Sequence, residues 1–432
     1  MTVAALSRPT SRFALNGGAV FMASAALVHA GNYAFNVLMG RRLGPALFAE
    51  VSLVVTLMLV VTFAATTVQT TAARFIAIAR DGEDAAGLHR WLAGAVRPGS
   101  LAAAALLVIA TPFLARAFQL SSPYPLVLFA CGIPLYLAQS VHRGVIQGEA
   151  GFVALAGSYQ AEMWARLVGG VVLVSLGWSV AGAAGALTLS FGAGWIVARR
   201  PLVGSHPVDE ASRRRVRSFA GKTALLLLGE ILICHSDLII AKLVLDPAAA
   251  GSYAAVSLIG RAAVFGTWPV VAYILPIAAR RHAAGRPPGR LLARALVVVG
   301  GLSVAMTVGA LAAPELILEL ALGPEYRSAA PWLAPYVVAS GCFALAKTVF
   351  SYHLARGVTT GAFLAIGAGV AQVITLALYH GSALTMVWVQ LGLMAALLIV
   401  AAGWHFGQAR RQAPSNPRPN ELAPVHQTTG RN

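Results

Sequence analysis

The sequence predicts an all-α integral membrane protein with about twelve transmembrane helices, arranged as two six-helix bundles related by pseudo-twofold symmetry. Three observations carry that expectation: apolar stretches of bilayer-spanning length, basic residues that alternate between successive loops, and a weak repetition of the first half in the second. Of the 432 residues, 58% are hydrophobic and 11% are charged, with a mean hydropathy of +0.74. A soluble fold of that size has too little polar surface to cover so much apolar side chain.

A hydrocarbon core of about 30 Å, at a rise of 1.5 Å per residue, asks for about 20 apolar residues per span. The first such stretch, Leu15 to Gly40, is too long for the core of a cleaved signal peptide and is read as a retained helix carrying Asn16, His29, Asn32 and Asn36. After the Gly44-Pro45 turn come Phe48 to Thr71, Gly99 to Phe118, Pro125 to Ile146, Phe152 to Leu176 and Val180 to Ala198, which complete a first bundle over residues 1–200. The polar segment 201–216, with Pro201, Pro207 and the run Arg213-Arg214-Arg215, reads as a cytoplasmic linker. A second bundle over residues 217–407 takes Phe219 to Leu245, Gly251 to Ala279, Leu291 to Ala313, Ala330 to Ala355, Gly361 to Leu378 and Leu384 to Gly403. Residues 408–432, broken by Pro414, Pro417, Pro419 and Pro424 and without an apolar run, read as a disordered cytoplasmic tail.

Charge sets the orientation. With the N-terminus inside, the outer segments keep only Arg41, Arg42, Arg116, Lys242 and Arg327, three basic residues lie within spans, and the remainder of the 32 fall on the cytoplasmic side. That asymmetry is the positive-inside rule, and it places both termini in the cytoplasm of a bacterial plasma membrane protein. The net charge of +17 is then a matter of topology with lipid headgroups as its partner, rather than a nucleic-acid surface. Cys131, Cys234 and Cys342 are too far apart for a metal or redox site and are read as packing residues.

The halves repeat at their turns. Leu43-Gly44-Pro45-Ala46-Leu47-Phe48-Ala49-Glu50-Val51 follows the first helix, and Leu245-Asp246-Pro247-Ala248-Ala249-Ala250-Gly251-Ser252-Tyr253 follows the seventh; Gln147-Gly148 and Arg356-Gly357 precede the fifth and eleventh. An even number of spans per half makes the repeats parallel, so two bundles face one another across a central cavity.

With these motifs the chain resembles the polysaccharide-exporter branch of the multidrug/oligosaccharidyl-lipid/polysaccharide flippase superfamily. The likeness is carried by Gly40-Arg41-Arg42-Leu43-Gly44-Pro45, where Ala49 stands in place of the family's usual glycine, by Arg74-Phe75-Ile76-Ala77, and by Arg143-Gly144-Val145-Ile146-Gln147-Gly148. It continues in Asp237-Leu238-Ile239-Ile240-Ala241-Lys242, Gly251-Ser252-Tyr253 and Leu322-Gly323-Pro324-Glu325-Tyr326. The resemblance implies a secondary transporter that flips a lipid-linked oligosaccharide, typically carried on undecaprenyl pyrophosphate, from the inner to the outer leaflet by alternating access. Other proteins of surface polysaccharide synthesis would be its partners. A cation-coupled multidrug exporter of the same fold and a non-transporting scaffold are the alternatives.

Charges inside spans cost roughly 2.5 to 3.5 kcal/mol each on insertion scales, so each needs a partner or a task. Glu162 and Arg166 stand four apart and can pair on one helix face. Glu230, Cys234 and Asp237 form a stripe that either binds a coupling ion, Na⁺ or H⁺, or meets an arginine of a neighbouring helix. Arg261 and Lys347 have no acid at helical spacing, so another helix or a substrate anion must answer them. Substrate contact is therefore assigned to Arg261, Lys347, Arg166, Asn32 and Asn36, and ion coupling to Asp237 and Glu230. Asn32 and Asn36, like Thr62, Thr66 and Gln69, also suit interhelical hydrogen bonds. Pro269 and Pro276 suit a kink in the eighth helix. No phosphate-binding glycine loop, nucleophile elbow or long outer loop is present, so the chain is not expected to be an enzyme or to hold a cofactor.

Overall fold

The structure, a computed structural model, describes residues 11–411 except 78, 80, 81, 202–207, 267–290, 356, 357 and 359. The tail beyond residue 411, most of the linker, Pro269, Pro276 and the Arg356-Gly357 turn lie outside the described residues.

Helix α1 (Ser11–Ala77) spans 67 residues. Straight, it would reach about 100 Å, more than three times the hydrocarbon thickness. It breaks instead at Gly44, whose φ of 71° suits a residue without Cβ, and Pro45 next to it contributes no amide donor. The arm before the break bonds through Ser24 to Gln160, and the arm after it bonds through Gln69 to Tyr159, so both ends return to the same turn of α4 and the arms run antiparallel. A second doubling joins α4 (Phe152–Leu173) to α5 (Ser179–Ala198) through a π-helical turn, Val174–Trp178, in which Gly177 takes φ 88°. Between these lie α2 (Gly82–Ala117) and α3 (Tyr124–Gly148).

The second half begins at α6 (Glu210–Val244), which Asp209 caps by accepting the Ser212 amide at 3.0 Å. Hydrogen bonds from Ser212 hold the Asp209 carboxyl below its ordinary pKa. There follow α7 (Pro247–Gly266), α8 (Leu291–Ala312), the short α9 (Pro314–Leu322), a 3₁₀ turn (Pro324–Ala329), α10 (Ala330–Ala355), α11 (Thr360–Leu378) and α12 (Ala383–Arg411). Nine helical stretches among the described residues are long and apolar enough to cross a membrane. Two of them, Ala23–Ala77 and Phe152–Ala198, are broken within their length at a glycine of positive φ, Gly44 and Gly177. The protein is an all-α, multi-pass membrane protein. Its exposed large side chains, Ile109, Phe113, Val297 and Ile399 among them, are the lipid-facing surface that such a chain requires.

Packing follows sequence halves. Helix α1 lies along α3 and α4, and α3 along α2 and α5; in the second half α10 lies along α7, α8 and α12, and α11 along α6. The seam between the halves runs where α1 meets α6 and α7.

Candidate functional site

At the end of the molecule bearing Gly44, here the distal end, the halves are locked together. Tyr326, fully buried, donates its hydroxyl to the Gly40 carbonyl at 3.0 Å and stands edge-on to Phe48. Arg41 donates to the carbonyls of Leu320 and Ala321, the last turn of α9, where the helix dipole favours a cation. Gly251 lies directly on the Pro45 carbonyl, leaving no room for a Cβ. The two repeated turns thus meet each other. Nearby, Glu50 accepts from the Ser121 amide and hydroxyl at 2.8 and 3.0 Å. Lys242 was counted from the sequence with an outer segment; it is buried in the last turn of α6, inside the span that the sequence itself drew to Leu245.

Further along the seam the halves part around a cavity of about 190 Å³. The first half lines it with Leu59, Thr62, Phe63 and Thr66 of α1. The second half contributes the charged wall: Glu230, Cys234 and His235 of α6, Arg261 of α7 and Lys347 of α10. Thr62 is satisfied by the Met58 carbonyl and the Tyr136 hydroxyl, at 2.8 and 2.9 Å, while Thr66 is exposed.

The wall holds two ion pairs of different character. Asp237, with 0% side-chain exposure, accepts from Arg261 at 2.6 Å and from the Tyr336 hydroxyl at 2.7 Å. Ser257 lies 3.0 Å from that hydroxyl, and Tyr253 stands 3.3 Å from the same carboxylate while bonding Gln390 at 2.9 Å. Arg261 keeps a looser contact with His235, at 3.5 Å. Lys347 and Glu230 form the second pair, open to the cavity with side-chain exposures of 24% and 41%. Both cations that lacked an acid at helical spacing therefore find one on α6, and the stripe of Glu230 and Asp237 is answered by basic residues of α10 and α7.

The first half carries a separate, sealed network. Glu162 pairs with Arg143 at 2.9 Å and with Arg166 at 2.6 Å, and accepts from Gln139 at 2.6 Å. Arg143 also donates to the Ser158 hydroxyl and carbonyl at 2.9 and 3.0 Å and lies over the Tyr159 ring. Arg166 donates to Asn32 at 2.9 Å, and the Asn36 amide returns to the Asn32 carbonyl. Arg166, Asn32 and Asn36 are thus brought together, but with one another and not on the cavity wall. Sequence reasoning counted Arg143 among the loop cations and so missed its role. The signal was available, since the span drawn from Pro125 to Ile146 already enclosed it.

Among the described residues no cluster of three or more metal-ligating side chains occurs. Cys131 is exposed, and Cys234 and Cys342 are half-buried.

These features define an α-helical membrane protein of two halves that close at one end and enclose a largely apolar cavity into which a few charged side chains reach. No protein-family model matches the sequence, and no curated protein does. Solved structures match over nearly the whole chain. An inward-facing multidrug-resistance MATE-family transporter of the MOP superfamily aligns with a TM-score of 0.75 at 15% identity, over 88% of this chain and 94% of its own. The lipid II flippase MurJ, in an inward closed conformation, aligns with 0.71 at 10% identity, over 90% and 87%. A MOP-superfamily transporter from Pyrococcus furiosus with a reversed-polarity binding pocket gives 0.52 at 15%, over 90% and 93%. At such identities the likeness establishes the fold.

Proposed function

We propose that this protein is a secondary transporter of the bacterial cytoplasmic membrane that flips a lipid-linked oligosaccharide, a polysaccharide precursor, by alternating access. Both termini lie in the cytoplasm, the distal end faces outward, and proteins of polysaccharide synthesis are its partners. The observation that carries the reading is the pair of basic side chains on the wall of the seam cavity, where Lys347 and a facet of Arg261 stand beneath a closed distal end, each answered by one carboxylate. A pyrophosphate headgroup suits those donors, because a guanidinium and an ammonium both bind phosphate oxygens through charge-assisted hydrogen bonds. The shared fold of a lipid flippase supports it. A cation-coupled multidrug exporter is the second reading, favoured by the MATE fold and by Glu230 on the cavity wall, which would then bind H⁺ or Na⁺.

Proteoliposomes separate the two. Lys347→Ala is expected to abolish movement of a fluorescent undecaprenyl-pyrophosphate glycan and to leave a lipophilic cation dye untransported by either protein. Dye export by the wild type, lost in Glu230→Gln, would transfer the assignment to the exporter. For orientation, a cysteine at Ser121 is expected to react with an impermeant thiol reagent on intact cells and one at Ser205 is not.

A further inference from the structure

We propose that Glu230 is a built-in counter-anion, which holds Lys347 while the cavity is empty and which the anionic headgroup of the cargo displaces. The inference rests on the anionic cargo proposed above and adds to it a residue that governs binding and turnover in opposite directions.

Four cationic side chains inside the spans, Arg143, Arg166, Arg261 and Lys347, are not held alike. Arg143 and Arg166 share Glu162 in a network with at most 10% side-chain exposure on any of the three. Asp237 is wholly buried and accepts from Arg261 and Tyr336, with Tyr253 also against it, and it does not line the cavity. Glu230 differs on every count. Its carboxylate is 41% exposed, it faces the cavity, and Lys347 is its only hydrogen-bond partner among the described residues. The two side chains come from α6 and α10 of the same half, so breaking their pair moves no seam contact.

Charge balance gives the pair its use. With the cavity empty, Asp237 answers Arg261 and Glu230 answers Lys347, so this wall carries no net charge. An empty carrier can then change conformation without presenting an unmatched ammonium to a low-dielectric interior, which would oppose the movement. A phosphate offers more acceptor oxygens than one carboxylate and can bridge Lys347 to the loosely held Nη1 of Arg261, which stands 3.5 Å from His235. It therefore takes Lys347, and Glu230 turns away from it into the cavity. On release Glu230 returns. The exchange makes and breaks only ionic contacts.

A structural ion pair and an exchangeable counter-anion differ in sign. Removing Glu230 removes a competitor for Lys347, so an anion binds more tightly, while the empty return slows because Lys347 is left unmatched. The test uses the purified full chain with inorganic pyrophosphate as the probe, read by calorimetric titration and by the rise in melting temperature on adding probe at constant ionic strength. Glu230→Gln is expected to bind about fivefold more tightly than wild type, the scale of one part-exposed ion pair. Lys347→Ala is expected to lose most binding. The exchanged double variant, Glu230→Lys with Lys347→Glu, keeps one ammonium and one carboxylate on the wall and is expected to return to near wild-type affinity, while Lys347→Glu alone binds nothing. Equal or weaker binding by Glu230→Gln, or an exchanged variant no better than Lys347→Glu, overturns the counter-anion while leaving the anionic cargo standing. Absence of pyrophosphate binding by the wild type removes the cargo reading and this inference together.

Discussion

In the first half one carboxylate, Glu162, serves two guanidinium groups, whereas in the second half Asp237 and Glu230 serve Arg261 and Lys347 one to one. The first arrangement carries an excess positive charge and draws on neutral groups, Gln139, Ser158 and Asn32, while Gln139 Oε1 and Arg166 Nε find no partner among the described residues. The second is neutral pair by pair, and one of its pairs faces the cavity. The difference separates charges that hold helices together from charges available for exchange. Network members reach across α1, α3, α4 and α5, with Ser158 bonding the Gly194 carbonyl, so opening it would unpack a bundle. Opening the Glu230–Lys347 pair unpacks nothing.

The sharpest way to break that contrast is Glu162→Ala. It leaves Arg143 and Arg166 buried without an acid, a loss of about 3–5 kcal/mol for a broken buried pair, and is expected to remove the protein from the membrane or lower its melting temperature in detergent severely. Glu230→Ala, in a part-exposed pair, is expected to cost about 0–1 kcal/mol. Equal losses in the two variants would erase the distinction.

Within the second half, Asp237→Asn is expected to lose somewhat less, about 3 kcal/mol, because the asparagine carbonyl can still accept from Arg261 and His235 remains beside it. Adding Arg261→Gln should restore a large part of that loss, since no charge is then left unmatched. Thermal denaturation of the single and double variants measures the coupling directly. Strict additivity would show that the pair is not the unit that matters there.

The class of the molecule was legible from the sequence because membrane insertion acts on gross properties: span length, loop charge and turn residues. The motif residues of the resemblance prove to be contact points. Gly144 and Gly148 let α3 approach the second arm of α1, Asp237 and Tyr253 stand against each other, and Tyr326 reaches Gly40. What could not be read was which charge met which. Lys347 and Glu230 are 117 residues apart and Arg41 bonds carbonyls 279 and 280 residues away, and helical periodicity carries no information across such separations. Arg143 was misplaced for a related reason: charge counting by loop assigns a basic residue near a helix end to water, although a long side chain can turn inward to a buried acid.

The distal seam offers a third kind of contact, made mostly by backbone and neutral groups. Gly251→Val places side-chain atoms against the Pro45 carbonyl, and because backbone cannot yield as a flexible side chain does, α7 must withdraw from α1. Overpacking of this kind costs about 1–3 kcal/mol. A cysteine at Ala249 should then be labelled several-fold faster by an impermeant maleimide than in the parent. Unchanged labelling would mean that the seam opens elsewhere.

Tyr326→Phe should have a smaller effect than Gly251→Val and distinguishes the seam from the charge clusters most cleanly. The substitution keeps the ring against Phe48 and removes only the hydroxyl that donates to the Gly40 carbonyl, a neutral hydrogen bond with a net contribution of about 0.5–1.5 kcal/mol. Labelling at the same distal cysteine should rise by roughly two- to tenfold, the change that this range converts to. Because no ion is involved, the increase should be the same at low and high salt. Arg41→Ala, by contrast, removes an exposed cation from the carbonyls of Leu320 and Ala321, and its effect should shrink as salt screens the charge that it replaces. A salt-dependent response in Tyr326→Phe would mean that Arg41 and not the neutral contact governs the distal closure, so that charge would hold the two halves closed as well as shape the cavity between them.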